Sequence, residues 1–401
     1  MDFAWIHPEG IEAPSIEQTE KLESLRRKLL DLYKTWGYLQ TSPPFLEFAD
    51  NLRFGQDVEY NSNLFELSDP VSGKRLAIRS DTTAQIASIR YNQMSAIPNP
   101  LRLCYCLPVA QRWADSLNAP RFYSQVGIEL FGAESTEADC EVMNLMIGSL
   151  HKAKLDEIAI SLGHTQFFVA LMDQAQIQAP IRTQIASLLQ QRAWPEIRDL
   201  LENRSISSQH LHLVEQLCNA HGSMDQLAEI AKPFMHLVGV ESAVNELLEL
   251  AAASPDDMPK LFDLADISTR LYHKGPVFSC FTPSHNASVA AGGRYMALDQ
   301  STAVGFSSSL WLLATLSRQN EKQAPIEDAI FAPYVPAGDS KHQALTLCTQ
   351  QLRRSGQTVV QQLKGQDHRP PHCTHKLEWR EGAWQLTALT AQPDSSGAST
   401  T

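Results

Sequence analysis

Long apolar runs are missing from this 401-residue chain: none approaches the roughly 20 residues needed to cross a bilayer, so no membrane contact is expected. The opening stretch, MDFAWIHPEGIEAPS, lacks the basic n-region and apolar core of a secretory signal, and no leader is expected. Basic residues are outnumbered, with 33 Lys and Arg against 45 Asp and Glu and a formal net charge of −12. That balance argues against a wide surface that grips nucleic acid. Cysteine is sparse too: seven residues, scattered and odd in number, fit reduced, buried thiols of a cytoplasmic protein. Cys104 and Cys106 form a C-x-C with no second pair nearby, so strand packing is preferred to metal binding. No internal repeat occurs. What is present, 43% hydrophobic and 19% charged residues over a length too great for one ordinary core, describes a globular protein of several domains.

Residues 15 to 36 carry Leu22, Leu25, Leu29, Leu32 and Trp36 at helical steps, with Ser15 placed to cap the start. Pro43 and Pro44 confine the following extended segment to an edge or an interface, because neither can donate to a ladder. "NLFELSDPVSGKRLAIRSDTTAQIASIRY" reads as strand, turn, strand and helix, with Asp69, Pro70 and Gly73 in the turn. A strand hairpin spans residues 102 to 132, and a helix is predicted near 136 to 153. Residues from about 165 to 260 form short helical patterns, a helical insertion. Strands return at "GPVFSCF" and "SVAAGGRYMAL", followed by a predicted helix from about 303 to 318. The expected division is a core over 1–320, a small α/β domain over 325–390 and a disordered tail over 391–401. Strands without βαβ regularity predict an α+β fold, an antiparallel sheet flanked by helices.

Several constellations carry possible chemistry, each beside a plainer explanation. Gln125 and Glu129 are four apart in a strand pattern and share a face, with Gly127 between them leaving a hollow for a small polar ligand; a solvated sheet face is the alternative. Asp81 and Thr83 stand at a helix start, where spacing alone favours simple capping. Gly292 and Gly293 mark a close backbone approach, or only a tight bend. Tyr272 and His273 alone read as packing. His368, His372, Cys373 and His375 have the residue types of a zinc set, but not its spacing.

The order of these pieces is more specific than any of them. "HPEGIEAPSIEQTEKL", "GYLQTSPPFLEF", "LAIRSDTTAQIA", "QRWADSLNAPRFYSQVGIELFG", "YHKGPVF", "AAGGRYMALD" and "AVGFSSSLWLL" resemble the plan of a class II histidyl-tRNA synthetase core over roughly residues 6 to 320. The resemblance places Pro44 in the dimer-forming motif 1, the 102–132 hairpin in motif 2, and "AVGFSSSLWLL" in motif 3. It also implies that Asp81, Thr83, Gln125, Glu129, Tyr272, His273 and Tyr295 surround a histidine, with Asp81 and Gln125 on its ammonium group and Glu129 with His273 or Tyr295 around its imidazole.

The departures from that plan bear on function. The positions where the resemblance expects ATP-clamping or catalytic groups hold Gln111, Trp113, Ser268 and Leu312, with Arg270 two places off. Neutral side chains cannot hold the charge of a phosphoryl-type transition state. Asp81 and His273 instead match "RPD-x-T" and "YH-x-G", as in the synthetase-like regulatory subunits of ATP phosphoribosyltransferase. That resemblance implies a non-catalytic subunit without cofactor or metal. It would dimerise through its core and pair with a short-form catalytic subunit in a hetero-oligomer, an octamer of equal parts, relaying inhibition by L-histidine. A degenerate histidyl-tRNA synthetase and a stand-alone histidine-sensing scaffold are the alternatives.

Overall fold

The computed structural model describes residues 7–52, 62–114, 119–204, 206–267, 273–297, 300–317, 329–370 and 372–389. The expected tail at 391–401 lies outside them. The chain divides into two units, Met1–Arg318 and Gln319–Thr401.

The first unit opens with α1 (Ile16–Thr35), whose start is closed by a capping box between Ser15 and Gln18. Such a cap contributes about 1 kcal/mol. The face buried is Leu25, Leu29 and Tyr33, whereas Trp36 is exposed, because the helix stops one residue earlier and Trp36 leaves its period. The edge strand β1 (Leu39–Gln40) follows. Next comes a small antiparallel sheet of β2 (Leu46–Phe48), β3 (Phe65–Ser68) and β4 (Arg75–Ile78) in the order β2-β4-β3. Asp69 and Gly73, the latter at positive φ, make the β3–β4 turn as the sequence predicts.

Helix α2 (Thr83–Gln93) leads into the long hairpin of β5 (Leu101–Ala110) and β6 (Phe122–Phe131), then α3 (Thr136–Lys152) and β7 (Ala159–His164). Short helices fill most of residues 166–253, among them α4 (Val240–Ala253), and two strands accompany them, β8 (His221–Ser223) and β9 (Lys260–Asp263). Strands β10 (His273–Phe281), β11 (Ala290–Met296) and β12 (Thr302–Ser309) and helix α5 (Leu310–Leu316) complete the unit. The predicted helix from 303 is therefore corrected. Residues 302–309 are a strand, because they are paired on both sides, by β6 and β11.

Nine strands form one sheet in the order β1-β5-β6-β12-β11-β10-β7-β9-β8. The β1–β5 and β7–β9 pairs are parallel; every other neighbour is antiparallel. One face carries Cys104, Cys106, Val126, Ile128, Leu130, Phe278, Cys280, Val304 and Phe306 into the main core with α1 and α3. The opposite face carries Leu101, Leu103, Tyr105, Leu107, Phe131, Tyr295 and Ala303 against Ile86 and Ala87 of α2. Each fully buried Leu or Ile there contributes about 1.5–3 kcal/mol. Among the described residues no helix is long and apolar enough to cross a membrane.

The second unit is a four-stranded sheet of β13 (Ala329–Ala332), β14 (Val359–Gln361), β15 (Cys373–Arg380) and β16 (Ala383–Ala388), ordered β14-β13-β15-β16, with α6 (His342–Arg354) between β13 and β14.

Candidate functional site

The face beneath α2 gathers most of the residues singled out in the sequence. Gln125 and Glu129 lie on it as the strand alternation predicts, both buried. Asp81 and Thr83, also buried, stand at the start of α2. The Asp81 carboxylate does two things. Its Oδ1 accepts the Thr83 backbone N–H at 2.8 Å, and its Oδ2 accepts Gln125 Nε2 at 2.7 Å. The Gln125 Oε1 in turn accepts the Thr82 N–H at 2.8 Å. Capping and site-building are thus one network, which ties a helix start to the middle of the sheet and holds the Asp81 and Gln125 polar groups in fixed directions.

Four residues further along β6, a second group forms around Glu129. Tyr295 donates its hydroxyl to Glu129 Oε2 at 2.8 Å. His273 pairs with Tyr295 in register, their rings edge to face with centroids 6.5 Å apart. Glu129, Gly305 and Gly293 occupy one cross-strand row. A Cβ on Gly305 would collide with the Glu129 carboxylate, and one on Gly293 would lie 3.1 Å from His273 Cδ2. Bare backbone at these two glycines therefore gives the carboxylate and the imidazole room to approach each other over the sheet. This corrects the expected hollow: Gly127 is not open, because the Tyr105 ring fills that space, its hydroxyl 2.7 Å from where a Cβ would stand. The glycine row that makes room for a polar side chain is the next one along, where the Glu129 carboxylate lies over Gly305. Gly292, one residue before, is needed because a Cβ there would strike the Gly305 carbonyl. Tyr272 lies outside the described residues.

The other half of the resemblance looks different. Gln111 gives its Nε2 to the Tyr123 hydroxyl at 3.1 Å. Trp113 is exposed, with Arg112 stacked over its ring. Arg121 bonds the Gln111 and Glu9 carbonyls and lies over Phe65, so neither neighbouring arginine takes up the role that Gln111 lacks. Leu312 packs against the main core from α5. Ser268 and Arg270 lie outside the described residues. Among the described residues no group of three His, Cys, Asp or Glu is placed to hold a metal, His368, His372, Cys373 and His375 included.

Two residues were missed. Tyr105 was legible in principle, as a large residue at the register position opposite Gly127. Arg79, at the end of "LAIR", is buried and donates to the carbonyls of Pro108, Pro43 and Pro44 and to Gln85 Oε1 at 2.7, 3.0, 3.2 and 3.2 Å. Its guanidinium also lies over the Phe45 ring. It locks the Pro43–Pro44 segment to the strand and helix that present Asp81. A single basic residue closing an apolar strand was the available signal.

Comparison with known proteins gives the site a context. Residues 10–313 match the family model of histidyl-tRNA synthetase, and residues 327–387 match that of the ATP phosphoribosyltransferase subunit HisZ C-terminal domain. An ATP phosphoribosyltransferase regulatory subunit of Pseudomonas paraeruginosa is 32% identical over 96% of this chain and 98% of its own. One from Methylococcus capsulatus is 34% identical over 91% of both chains. In fold, the chain superposes on an ATP phosphoribosyltransferase regulatory subunit/histidyl-tRNA synthetase from Bacillus halodurans with a TM-score of 0.76 at 22% identity, over 92% of this chain and 95% of the other. It superposes on histidyl-tRNA synthetase from Nostoc with a TM-score of 0.74 at 16% identity, over 96% and 97% of the two chains.

Proposed function

Since this chain belongs to the ATP phosphoribosyltransferase regulatory subunits, we propose that it performs no adenylation of its own and acts by binding L-histidine beneath α2 and passing that state to a catalytic partner. The observation that carries this reading is the asymmetry of the site. Asp81, Gln125, Glu129 and Tyr295 are buried and hydrogen-bonded to one another across separate elements, whereas Gln111, Trp113 and Leu312 are neutral and engaged in packing or left at the surface. Asp81 and Gln125 suit a ligand ammonium group, since a carboxylate and an amide oxygen both accept. Glu129 and His273 suit an imidazole between them, with Glu129 accepting a ring N–H. Thr83 holds Asp81 in place through its backbone, and Tyr272 completes the expected set.

The partner is a short-form catalytic subunit, and the assembly is a cytoplasmic hetero-octamer of equal parts built on dimers of the synthetase-like core. Histidine must bind one arrangement of that assembly better than the other, because equal affinity shifts nothing. A tenfold shift needs about 1.4 kcal/mol of differential binding. Mixed with a short-form catalytic subunit, the chain is expected to co-elute with it, raise its turnover, and make that turnover sensitive to histidine. No co-elution and unchanged turnover would favour the stand-alone sensor.

The pocket has its own test. Glu129→Gln keeps the shape and removes the charge, and Glu129→Ala removes both. A hydrogen bond to a charged group is worth about 1.5–3 kcal/mol, so histidine binding by calorimetry should weaken about 10- to 150-fold, with dimerisation retained. Unchanged affinity in both variants would put the site elsewhere.

A further inference from the structure

The second unit carries a cleft of about 440 Å³ that the histidine site does not involve, lined by Pro333, Tyr334, Lys341, Leu377, Trp379 and Trp384 among others. Its volume falls within the range of about 300–1,000 Å³ usual for small-molecule sites. Its position is informative. The chain leaves β13 through α6 to β14 on one side, then crosses to β15 on the other, and β14 and β15 both run parallel to β13. The strand order therefore reverses between β13 and β15, and the cleft lies beyond the carboxyl ends of these two strands. In open α/β sheets that crevice is where ligands bind.

The lining indicates which ligand. Tyr334 is exposed, and Trp379 pairs in register with Trp384, their rings edge to face with centroids 5.4 Å apart. Lys341 holds its ammonium 5.7 Å from the Trp379 centroid, and Trp384 Nε1 donates to the Lys341 carbonyl at 3.3 Å, which fixes the hairpin against the start of α6. Two carboxylates, Asp339 and Glu378, also line the cleft, and both have partners. Asp339 Oδ1 accepts the Lys341 backbone N–H, and Glu378 is bracketed by Lys376 and Arg380. Residues 329–389 hold seven Lys and Arg against four Asp and Glu, the reverse of a chain whose net charge is −12. An exposed aromatic ring, Tyr334, beside a cation held over a second ring suits a planar base bearing an anionic group.

We propose that this cleft binds a free nucleoside monophosphate, the base against Tyr334 and the phosphate at Lys341. The surface loop residues Tyr334 and Lys341 allow substitution without touching the sheet core. The test is calorimetry of AMP, adenosine and a short single-stranded oligoadenylate against the full chain, its Tyr334→Ala and Lys341→Ala variants, and Glu129→Gln. AMP is expected to bind saturably and more tightly than adenosine. Each cleft variant should weaken AMP about tenfold, Lys341→Ala should abolish the preference for AMP over adenosine, and Glu129→Gln should change nothing. Absence of binding at millimolar AMP, or unchanged affinity in either cleft variant, would overturn the assignment. So would tighter binding of the oligoadenylate than of AMP, which would assign the cleft to a strand.

Discussion

Given ATP, labelled pyrophosphate and histidine, the purified chain should return no labelled ATP above background. Charge is the reason. Making an adenylate requires the α-phosphate to be clamped while negative charge shifts onto pyrophosphate, and each preorganised donor aimed at such charge is worth about a factor of 10²–10³. At the position where the resemblance expects a clamp, the chain has Gln111, whose amide is directed at Tyr123. Arg112 is committed to the ring of Trp113, and Arg121 to two carbonyls and Phe65. Leu312 offers only apolar surface and packs into the core. The losses act on one transition state, so a single repair should do little: Gln111→Arg should also leave exchange at background. Measurable histidine-dependent exchange by the unaltered chain would identify a working synthetase and remove the reading as a non-catalytic subunit.

The second large effect is on stability. Arg79→Leu should lower the free energy of unfolding by about 3–5 kcal/mol, read as a fall in the urea midpoint. Burial pushes the Arg79 guanidinium down to about 10, which leaves it charged at neutral pH. It holds three carbonyls and one amide oxygen. Leucine fills part of the volume but leaves those acceptors without their donor, at about 1–3 kcal/mol for each group left dry. Arg79→Lys should fall between, since an ammonium restores the charge without the planar fork. Because Pro43 and Pro44 are among the groups held, Arg79→Leu should also weaken the self-dimer expected through that segment, by sedimentation. A loss below about 1 kcal/mol would mean that water replaces the guanidinium freely and that the network does not order the segment.

Local signals in the sequence were reliable where the physics is local. Ser15 caps α1, Asp69 and Gly73 turn β3 into β4, and Gln125 and Glu129 share a face, because each of these depends on residues a few positions apart. The strand at 302–309 was not legible. "AVGFSSSLWLL" has no strong alternation of its own, and its conformation is decided by β6 and β11 on either side. The same holds for the site. Spacing placed Glu129 on the right face but put the free space over Gly127, which Tyr105 fills across the hairpin.

By itself, the sequence determined the α+β class, the order of the synthetase-like pieces and the loss of charge at Gln111, Trp113 and Leu312, since residue type and periodicity are properties of the chain read in a line. Only the tertiary structure decided that Asp81 reaches Gln125, that Gly305 and Gly293 make room for Glu129 and His273, and that Arg79 anchors Pro43 and Pro44. These contacts join residues from 20 to 176 positions apart, and the registers of a nine-stranded sheet are set by burial on both of its faces rather than by any one segment.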